Sequence, residues 1–237
     1  MLRKLITYFF QNRSVQHDIP PVTIEGNTLD RVKFTKFLGV YVDENMNWNQ
    51  QISFVANKLA RMCGILYRLR NNLTPESLTS IYYTLCYPHL IYCVLIWACT
   101  WHSFLKKLSI AQNKIFRCIF YMNKFESTRN IIITQNFLSF TNVHKYFLLL
   151  STYKYLTQYC GSHPFRIVSS SYNIRGNNIN LVCPQYRTTL FKHSVLCSAP
   201  QLWNSLPLEI KNLLCSNTNL STFKKRIKSY LYNHQNS

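Results

Sequence analysis

The chain has 237 residues, enough for one large domain or two small ones, and 47% of them are apolar, which argues against disorder throughout. Its 27 Lys and Arg residues outnumber 8 Asp and Glu residues, so the formal net charge is +19. A field of this sign favours a polyanionic partner, nucleic acid first and an anionic membrane surface second.

The first 43 residues are predicted to form a small antiparallel meander. The run LITYFF is apolar and β-prone, and Gly26 with Asn27 marks a hairpin turn between two short runs. FTKFLGVYV has the strongest strand pattern of this region. The opening MLRKLITYFF is too short and too aromatic for a secretory signal, which favours a strand there.

A helix is predicted over residues 45–72, because apolar residues recur at alternating spacings of four and three. This stripe consists of Trp48, Ile52, Val55, Leu59, Met62, Leu66 and Leu69. The basic residues Lys58, Arg61, Arg68 and Arg70 fall mostly away from it. Asp43 and Glu44 stand where a strand meets this helix, and their charge is expected to favour its N-terminus rather than to bind a metal.

The next segment offers a choice between buried helices and a membrane span. LTPES supplies a threonine N-cap, a first-turn proline and a first-turn acid, so a helix is expected from 75 to about 87. The uncharged run from Ile81 to Trp101 has 21 residues, which is long enough to cross a bilayer. Because Pro88 interrupts it, we expect two buried helices that break there, and a membrane span near 81–101 remains the alternative.

Further helices are predicted downstream, over residues 103–122 and 142–160. The first has inward apolar positions at Leu105, Leu108, Ile115 and Ile119. Its basic residues, which no nearby acids oppose, are Lys106, Lys107, Lys114 and Arg117. The second is expected to end near Gly161.

The remainder changes character after residue 161. Gly, Asn, Ser and Pro interrupt short runs such as INLVCP and TTLFKHSVLC, which predicts a loop-rich segment with a weak hairpin up to about residue 206. LSTFKKRIKSYLY closes the chain as a short basic helix, for which Ser221 is the expected cap.

The nine cysteines are scattered and include no CxxC pair. An odd count of this kind argues against a disulfide framework and favours a reducing, intracellular compartment. Cys93, Cys99 and His102 are close in sequence, but their apolar surroundings favour buried structural thiols over a metal site.

No catalytic centre is recognisable from the residues. Two-metal phosphoryl transfer needs at least two carboxylates that converge on divalent ions. The aspartates are Asp18, Asp30 and Asp43, and none forms a close pair with another. P-loop, dinucleotide and HExxH motifs are absent. The sequence therefore indicates a binding apparatus rather than an enzyme.

The stretch KFTKFLGVYVDENMNWNQQI, residues 33–52, resembles a signature of reverse transcriptases from non-LTR retrotransposons of the LINE or jockey kind. Further resemblances follow in the family's order. They are KLARMCGILYRLRNNLTPESLTSIYYTLCYPHLIYCVLIW, AQNKIFRCIF, YRTTLFKHSVLCSAPQLWNSLPLEIKN and STFKKRIKSYLY. One departure is Gln51, where the family often has histidine. Together these matches cover nearly the whole chain and resemble the C-terminal part of such a polymerase.

The resemblance implies a mainly α fold with a small antiparallel β-meander at the N-terminus. Residues 1–43 would be the end of the palm with its primer-grip strands, and 44–124 a thumb-like helical bundle. Residues 125–161 would be a helical extension, and 162–237 a loop-rich tail with a weak hairpin and a basic C-terminal helix.

The resemblance also implies a primer-grip turn at Phe37, Leu38, Gly39 and Val40, where a glycine lets the chain approach a nucleic-acid backbone closely. The thumb helices would clamp RNA or an RNA–DNA duplex without sequence preference, and the rest of the polymerase is a second expected partner. The expected nucleic-acid-binding residues are Lys58, Arg61, Arg68, Arg70, Lys106, Lys107, Lys114 and Arg117.

No cofactor or metal is expected in this chain, because Mg²⁺ would belong to upstream palm residues. The chain is accordingly expected to be a truncated polymerase that is inactive alone. The alternatives are a basic membrane-associated protein and a non-functional pseudogene product.

Overall fold

The computed structural model describes residues 23–24, 26–28, 32–158, 165–168, 179–215 and 219–234. The strands are β1 (Thr23–Ile24), β2 (Asn27–Thr28), β3 (Phe34–Phe37) and β4 (Val40–Asp43). The α-helices are α1 (Asn49–Leu69), α2 (Pro75–Ile81), α3 (Tyr87–Ile91), α4 (Val94–Trp97), α5 (His102–Ile119), α6 (Arg129–Thr134), α7 (Phe140–Gln158), α8 (Thr189–Lys192), α9 (Val195–Asn204), α10 (Leu208–Cys215) and α11 (Leu220–Asn233). The predicted fold class, mainly α with a small antiparallel β part at the N-terminus, is confirmed. The predicted strand LITYFF lies outside the described residues.

Two antiparallel hairpins precede the helices. β1 pairs with β2 across the predicted turn at Gly26. β3 pairs with β4 across a two-residue turn formed by Leu38 and Gly39, with Phe37 opposite Val40. The prediction of one strand over FTKFLGVYV is therefore wrong. Leu38 and Gly39 adopt φ angles of 45° and 84°, the mirror-image turn geometry that matches the twist of two strands.

The first helix, α1, confirms the predicted apolar stripe. Four members of the stripe on α1 are buried: Ile52, Val55, Leu59 and Leu66. The helix begins at Asn49 rather than residue 45, because the carboxylate of Asp43 accepts hydrogen bonds from the backbone N–H groups of Asn47 at 3.1 Å and Trp48 at 2.8 Å. Asp43 therefore holds the loop that leads into α1, through two N–H groups immediately before the first helical residue.

The N-terminus of α2 is built as predicted. The hydroxyl of Thr74 accepts a hydrogen bond from the backbone N–H of Ser77 at 3.4 Å, Pro75 occupies the first turn and Glu76 adds a negative charge there. These three features each favour a helix start, because they satisfy or complement its free N–H groups.

The helical path passes through Pro88 without a break, contrary to the prediction. Ahead of the proline the helix widens into a π-helical turn over Tyr82–Cys86, and the N–H of Tyr87 bonds to the carbonyl five residues earlier. This turn accommodates the hydrogen bond that a proline cannot donate. The break comes instead at Cys93, whose φ of 52° separates α3 from α4. In the part of the chain that the structure describes, no helix is long and apolar enough to cross a membrane.

Helices α1 and α5 run parallel. Near their starts, the Thr100 hydroxyl donates to the carbonyl of Asn47 at 3.3 Å. Near their ends, the Tyr121 hydroxyl donates to the carbonyl of Leu73 at 3.1 Å. The predicted inward residues of α5 are all buried, namely Leu105, Leu108, Ile115 and Ile119.

A buried glutamine joins α5 to its surroundings. The side-chain N–H groups of Gln112 donate to the hydroxyl of Tyr82 and to the carbonyl of Leu138, each at 3.0 Å. Its side-chain oxygen accepts the backbone N–H of Phe140 at 2.7 Å. Because Gln112 is 1% exposed, these bonds replace the ones that water would otherwise make.

The tail is more helical than predicted. Ile167 and Leu181 form an isolated antiparallel bridge, and residues 169–178 between them lie outside the described residues, so the weak hairpin stays a prediction. TTLFKHSVLC, however, belongs to α8 and the start of α9, with the Thr188 hydroxyl accepting the N–H of Phe191 at 3.2 Å. The final helix is confirmed, but its cap is Asn219 rather than Ser221, because the Asn219 side chain accepts the Ser221 N–H.

Buried side chains form two apolar clusters. The first lies among β4, α1 to α6 and the start of α7, and it includes the fully buried Trp97 and Phe116. The second lies among α7, α9, α10 and α11 and includes Trp203 and Phe223, which is stacked on Tyr153 with 3.9 Å between ring centroids. Large aromatic side chains at both centres bury much of the apolar area that stabilises the fold.

Candidate nucleic-acid interface

The β3–β4 turn projects its first residues to the surface. Phe37 is 65% exposed and Leu38 76%, whereas Val40 is buried in the first core. The hydroxyl of Tyr92 donates to the carbonyl of Leu38 at 2.6 Å. Of the four residues of the expected primer grip, Leu38 and Gly39 form an exposed turn, Phe37 is exposed beside it and Val40 is buried. Tyr92, which lies between α3 and α4, supports this turn.

A cluster of aromatic rings and lysines connects this hairpin to α1. The ring centroids of Tyr41 and Phe54 lie 5.2 Å apart. The ammonium nitrogen of Lys36 lies 5.6 Å from the Tyr41 centroid and 5.5 Å from that of Phe54, and the nitrogen of Lys58 lies 5.7 Å from Phe54. Cation–π contacts of this length contribute about 0.5–1 kcal/mol each at exposed sites, so the rings help to hold both charges beside one another.

The outer face of α1 continues this cluster. Phe54, Lys58, Arg61, Ile65 and Arg68 follow spacings of four, three, four and three, which places them along one face of the helix. We call these five residues the α1 stripe. Arg61, Ile65 and Arg68 are exposed, so the stripe alternates positive charge with accessible apolar surface.

Arg70 is separate from the α1 stripe. It lies two residues beyond Arg68, about 200° further around the helix axis. Its guanidinium carbon is 4.1 Å from the ring centroid of Tyr67 and 5.9 Å from that of Tyr121, whose hydroxyl donates to the Arg70 carbonyl. The predicted set of eight basic residues therefore does not form one surface.

The basic residues of α5 form a second surface. Lys106, Lys107 and Lys114 are exposed, whereas Arg117 is half-buried and its Nε donates to the carbonyl of Glu126 at 2.9 Å. Lys114 lies close enough to Cys63 on α1 to lower the pKa of that thiol, although burial has the larger effect and raises it. The charge of Lys114 therefore acts across the junction of the two helices.

The structure offers no metal-binding cluster within the described residues. Asp43 is buried, and both of its carboxylate oxygens accept backbone N–H groups of the loop before α1. Cys99 donates to the carbonyl of Leu95 at 3.1 Å, with its sulfur 3.7 Å from Nε2 of His144. Burial raises the pKa of Cys99 to about 11 and lowers that of His144 to about 4, so neither group is charged near neutral pH.

Part of this chain is similar to a known polymerase. An RNA-directed DNA polymerase from the mobile element jockey of Drosophila funebris is 27% identical to it over 118 residues, which is 48% of this chain. The match covers 13% of the length of that polymerase. No protein-family model matches the chain, and no solved structure does. The similarity supports an origin related to the reverse transcriptases of non-LTR retrotransposons.

Sequence reasoning missed several residues of the interface. Phe54 precedes Lys58 by one helical turn, a spacing from which their contact could have been expected. Lys36 and Tyr41 face each other only because the chain reverses at Leu38, and the apolar run concealed that turn. Tyr92 is 54 residues from the carbonyl that it binds, so no local pattern indicates its role.

Proposed function

We propose that the chain is a thumb-like, duplex-binding part of a reverse transcriptase related to those of jockey elements. The observation that carries the proposal is the basic surface formed by Lys36 and the α1 stripe. The similarity of part of the chain to a jockey polymerase also supports the proposal, because it suggests a template–primer as the polyanionic partner. The net charge of +19 agrees with such a partner.

The spacing of the cations suits a nucleic-acid backbone. Lys58 and Arg68 are ten residues apart, which corresponds to about 15 Å along the helix axis. A strand of duplex carries one phosphate per ~3.4 Å of axis, so this length matches four to five nucleotide steps. Contacts from Lys and Arg to phosphates carry no sequence information, so the expected binding has little sequence preference.

The exposed turn would place backbone groups beside the same duplex. Gly39 leaves no side chain at the tip of the hairpin, and Tyr92 fixes the turn through the Leu38 carbonyl. In this proposal the turn contacts a primer strand while the α1 stripe holds phosphates. The apolar side chains of Phe37 and Leu38 are exposed and could pack against sugars.

The proposal is tested by fluorescence anisotropy with a labelled 20-base-pair RNA–DNA hybrid. The triple variant Lys58→Gln, Arg61→Gln, Arg68→Gln is expected to bind about 500-fold more weakly at 100 mM salt, because each lost phosphate contact costs about eightfold at this salt concentration. A matched control, Lys154→Gln, Lys225→Gln, Arg226→Gln, removes three exposed charges elsewhere and is expected to lose tenfold or less. Equal losses in both triples would contradict a specific surface.

We also propose that this chain alone does not extend a primer. Transfer of a nucleotidyl group by two metal ions requires converging carboxylates, and Asp43 is engaged by the backbone. A primer-extension assay with template, primer, deoxynucleotides and Mg²⁺ measures this. Incorporation above that of a heat-denatured sample would contradict it.

A further inference from the structure

A cleft of about 670 Å³ opens between α5, α6 with the segment that enters it, and the start of α7. This size falls within the range of small-molecule binding sites, which is roughly 300–1,000 Å³. Twelve residues line the cleft, and none of them is an aspartate or glutamate. The lining instead contains Lys106, Arg129 and His102.

The polar groups come from different walls of the cleft. His102, Lys106 and Ser109 recur at spacings of four and three on one face of α5, whereas Thr128 and Arg129 come from the start of α6. Cations from two separate elements therefore converge on one space. Five of the lining residues carry hydroxyl groups, which can both donate and accept hydrogen bonds.

The nearest acid in sequence is not part of the cleft lining. Glu126 precedes the lining segment, but its side-chain oxygen accepts the backbone N–H of Asn123 at 3.1 Å and it is not part of the lining. The apolar part of the wall is formed by Ile132 and Ile133. The cleft thus combines positive charge, hydroxyl groups and an apolar strip.

We propose that this cleft binds a nucleoside phosphate, either a free nucleotide or an unpaired nucleotide of a strand. Lys106 and Arg129 bind the phosphate, because cationic donors make the strongest hydrogen bonds to phosphate oxygens. The hydroxyl groups bind the sugar, and the isoleucine pair packs against the base. The site is distinct from the α1 stripe, and only its use by a strand rests on the proposed function.

The chain provides a closely matched control for the test. Lys107 is adjacent to Lys106 and exposed, but it does not line the cleft. Lys106→Gln, Arg129→Gln and Lys107→Gln therefore remove the same charge inside and outside the site. A fourth variant, Ser109→Trp, fills the cleft and leaves the charge unchanged. Circular dichroism melting curves of all four variants verify that they fold.

Binding is measured by calorimetric titration with adenosine monophosphate, and by anisotropy with a labelled single-stranded RNA of ten nucleotides. For at least one probe, Lys106→Gln and Arg129→Gln are each expected to lower the binding affinity about tenfold, because each removes one charge-assisted hydrogen bond. Ser109→Trp abolishes that binding, and Lys107→Gln weakens it clearly less than Lys106→Gln does. Binding of the monophosphate identifies a free nucleotide as the ligand, and binding of the RNA alone identifies a strand.

Two results would overturn the proposal. One is no binding of either probe at millimolar concentration, and the other is an equal effect of Lys106→Gln and Lys107→Gln, which indicates general electrostatic attraction. The RNA–DNA hybrid is titrated into the same samples. If the hybrid binds through the α1 stripe while the cleft binds neither probe, only the cleft proposal fails. If the monophosphate binds in the cleft and the hybrid does not bind, only the proposed function fails.

Discussion

Replacing Gln112 by leucine should strongly destabilise the fold. The substitution removes one amide that serves three buried partners: the Tyr82 hydroxyl, the Leu138 carbonyl and the Phe140 N–H. Each polar group left unsatisfied in a core costs about 1–3 kcal/mol, and the added apolar contact of leucine offsets part of the total. The expected loss in the free energy of unfolding is about 3–5 kcal/mol, a large share of a typical domain's stability.

Urea denaturation followed by circular dichroism measures this loss. Tyr82→Phe provides the matched variant, since it removes only one of the three partners and should cost about 1 kcal/mol. When Gln112→Leu is introduced into Tyr82→Phe, the loss in the free energy of unfolding should be about 1 kcal/mol smaller than in the wild type, because no Tyr82 hydroxyl is left unpaired. A loss below about 1 kcal/mol for Gln112→Leu alone would refute the importance of this network.

Three further predictions concern local chemistry. Gly64→Ala should raise the free energy of unfolding by about 0.5–1 kcal/mol, because Gly64 is inside α1 with open space around it. Gly39→Ala should lower the free energy of unfolding by about 1–2 kcal/mol, because the backbone φ angle at Gly39 is 84°. Burial lowers the pKa of His144 from 6.5 to about 4, so between these two pH values the unfolded chain binds a proton that the folded chain does not. The free energy of unfolding should therefore fall by up to about 3 kcal/mol as the pH drops from 6.5 to 4. The variant His144→Asn should lose this part of the pH dependence in urea titrations. Burial raises the pKa of Cys86 to about 12, so iodoacetamide at pH 8 should label the exposed Cys183 well before Cys86, as peptide mass spectrometry would show.

Each of these has a clear contrary outcome. Equal effects of alanine at the two glycines would contradict the left-handed turn at Gly39. An unchanged pH dependence in His144→Asn would show that His144 is not buried in its neutral form. Simultaneous labelling of Cys86 and Cys183 would place Cys86 at the surface.

Local periodicity was sufficient to predict the two long helices α1 and α5. The α1 apolar residues repeat every three or four positions, and the same spacing identified the inward residues of α5, because both helices bury one face. The position of the break after α3 could not be predicted in this way. Pro88 is the stronger local signal, but the π-helical turn ahead of it removes the conflict and moves the break to Cys93.

The candidate interface was predictable only in part. The spacing of Lys58, Arg61 and Arg68 alone places them on one face of α1. The predicted set of nucleic-acid-binding residues also included Arg70, which instead packs against Tyr67. The aromatic cluster depends on a contact between Lys36 and Phe54, which are brought together by a turn that β-branched neighbours concealed. In the tail, the β-prone TTLFKHSVLC forms helices. The second of them, α9, places Trp203 in the second core, a packing contact that the local sequence does not reveal.

The most direct test of the account is the salt dependence of binding to the RNA–DNA hybrid. The logarithm of the binding constant is measured against the logarithm of salt concentration for the wild type and for Lys58→Gln, Arg61→Gln, Arg68→Gln. The slope is expected to become shallower by about 2.7, since each of the three phosphate contacts contributes close to 0.9. An unchanged slope in the triple variant would show that the α1 stripe does not contact phosphates and would contradict the proposed function.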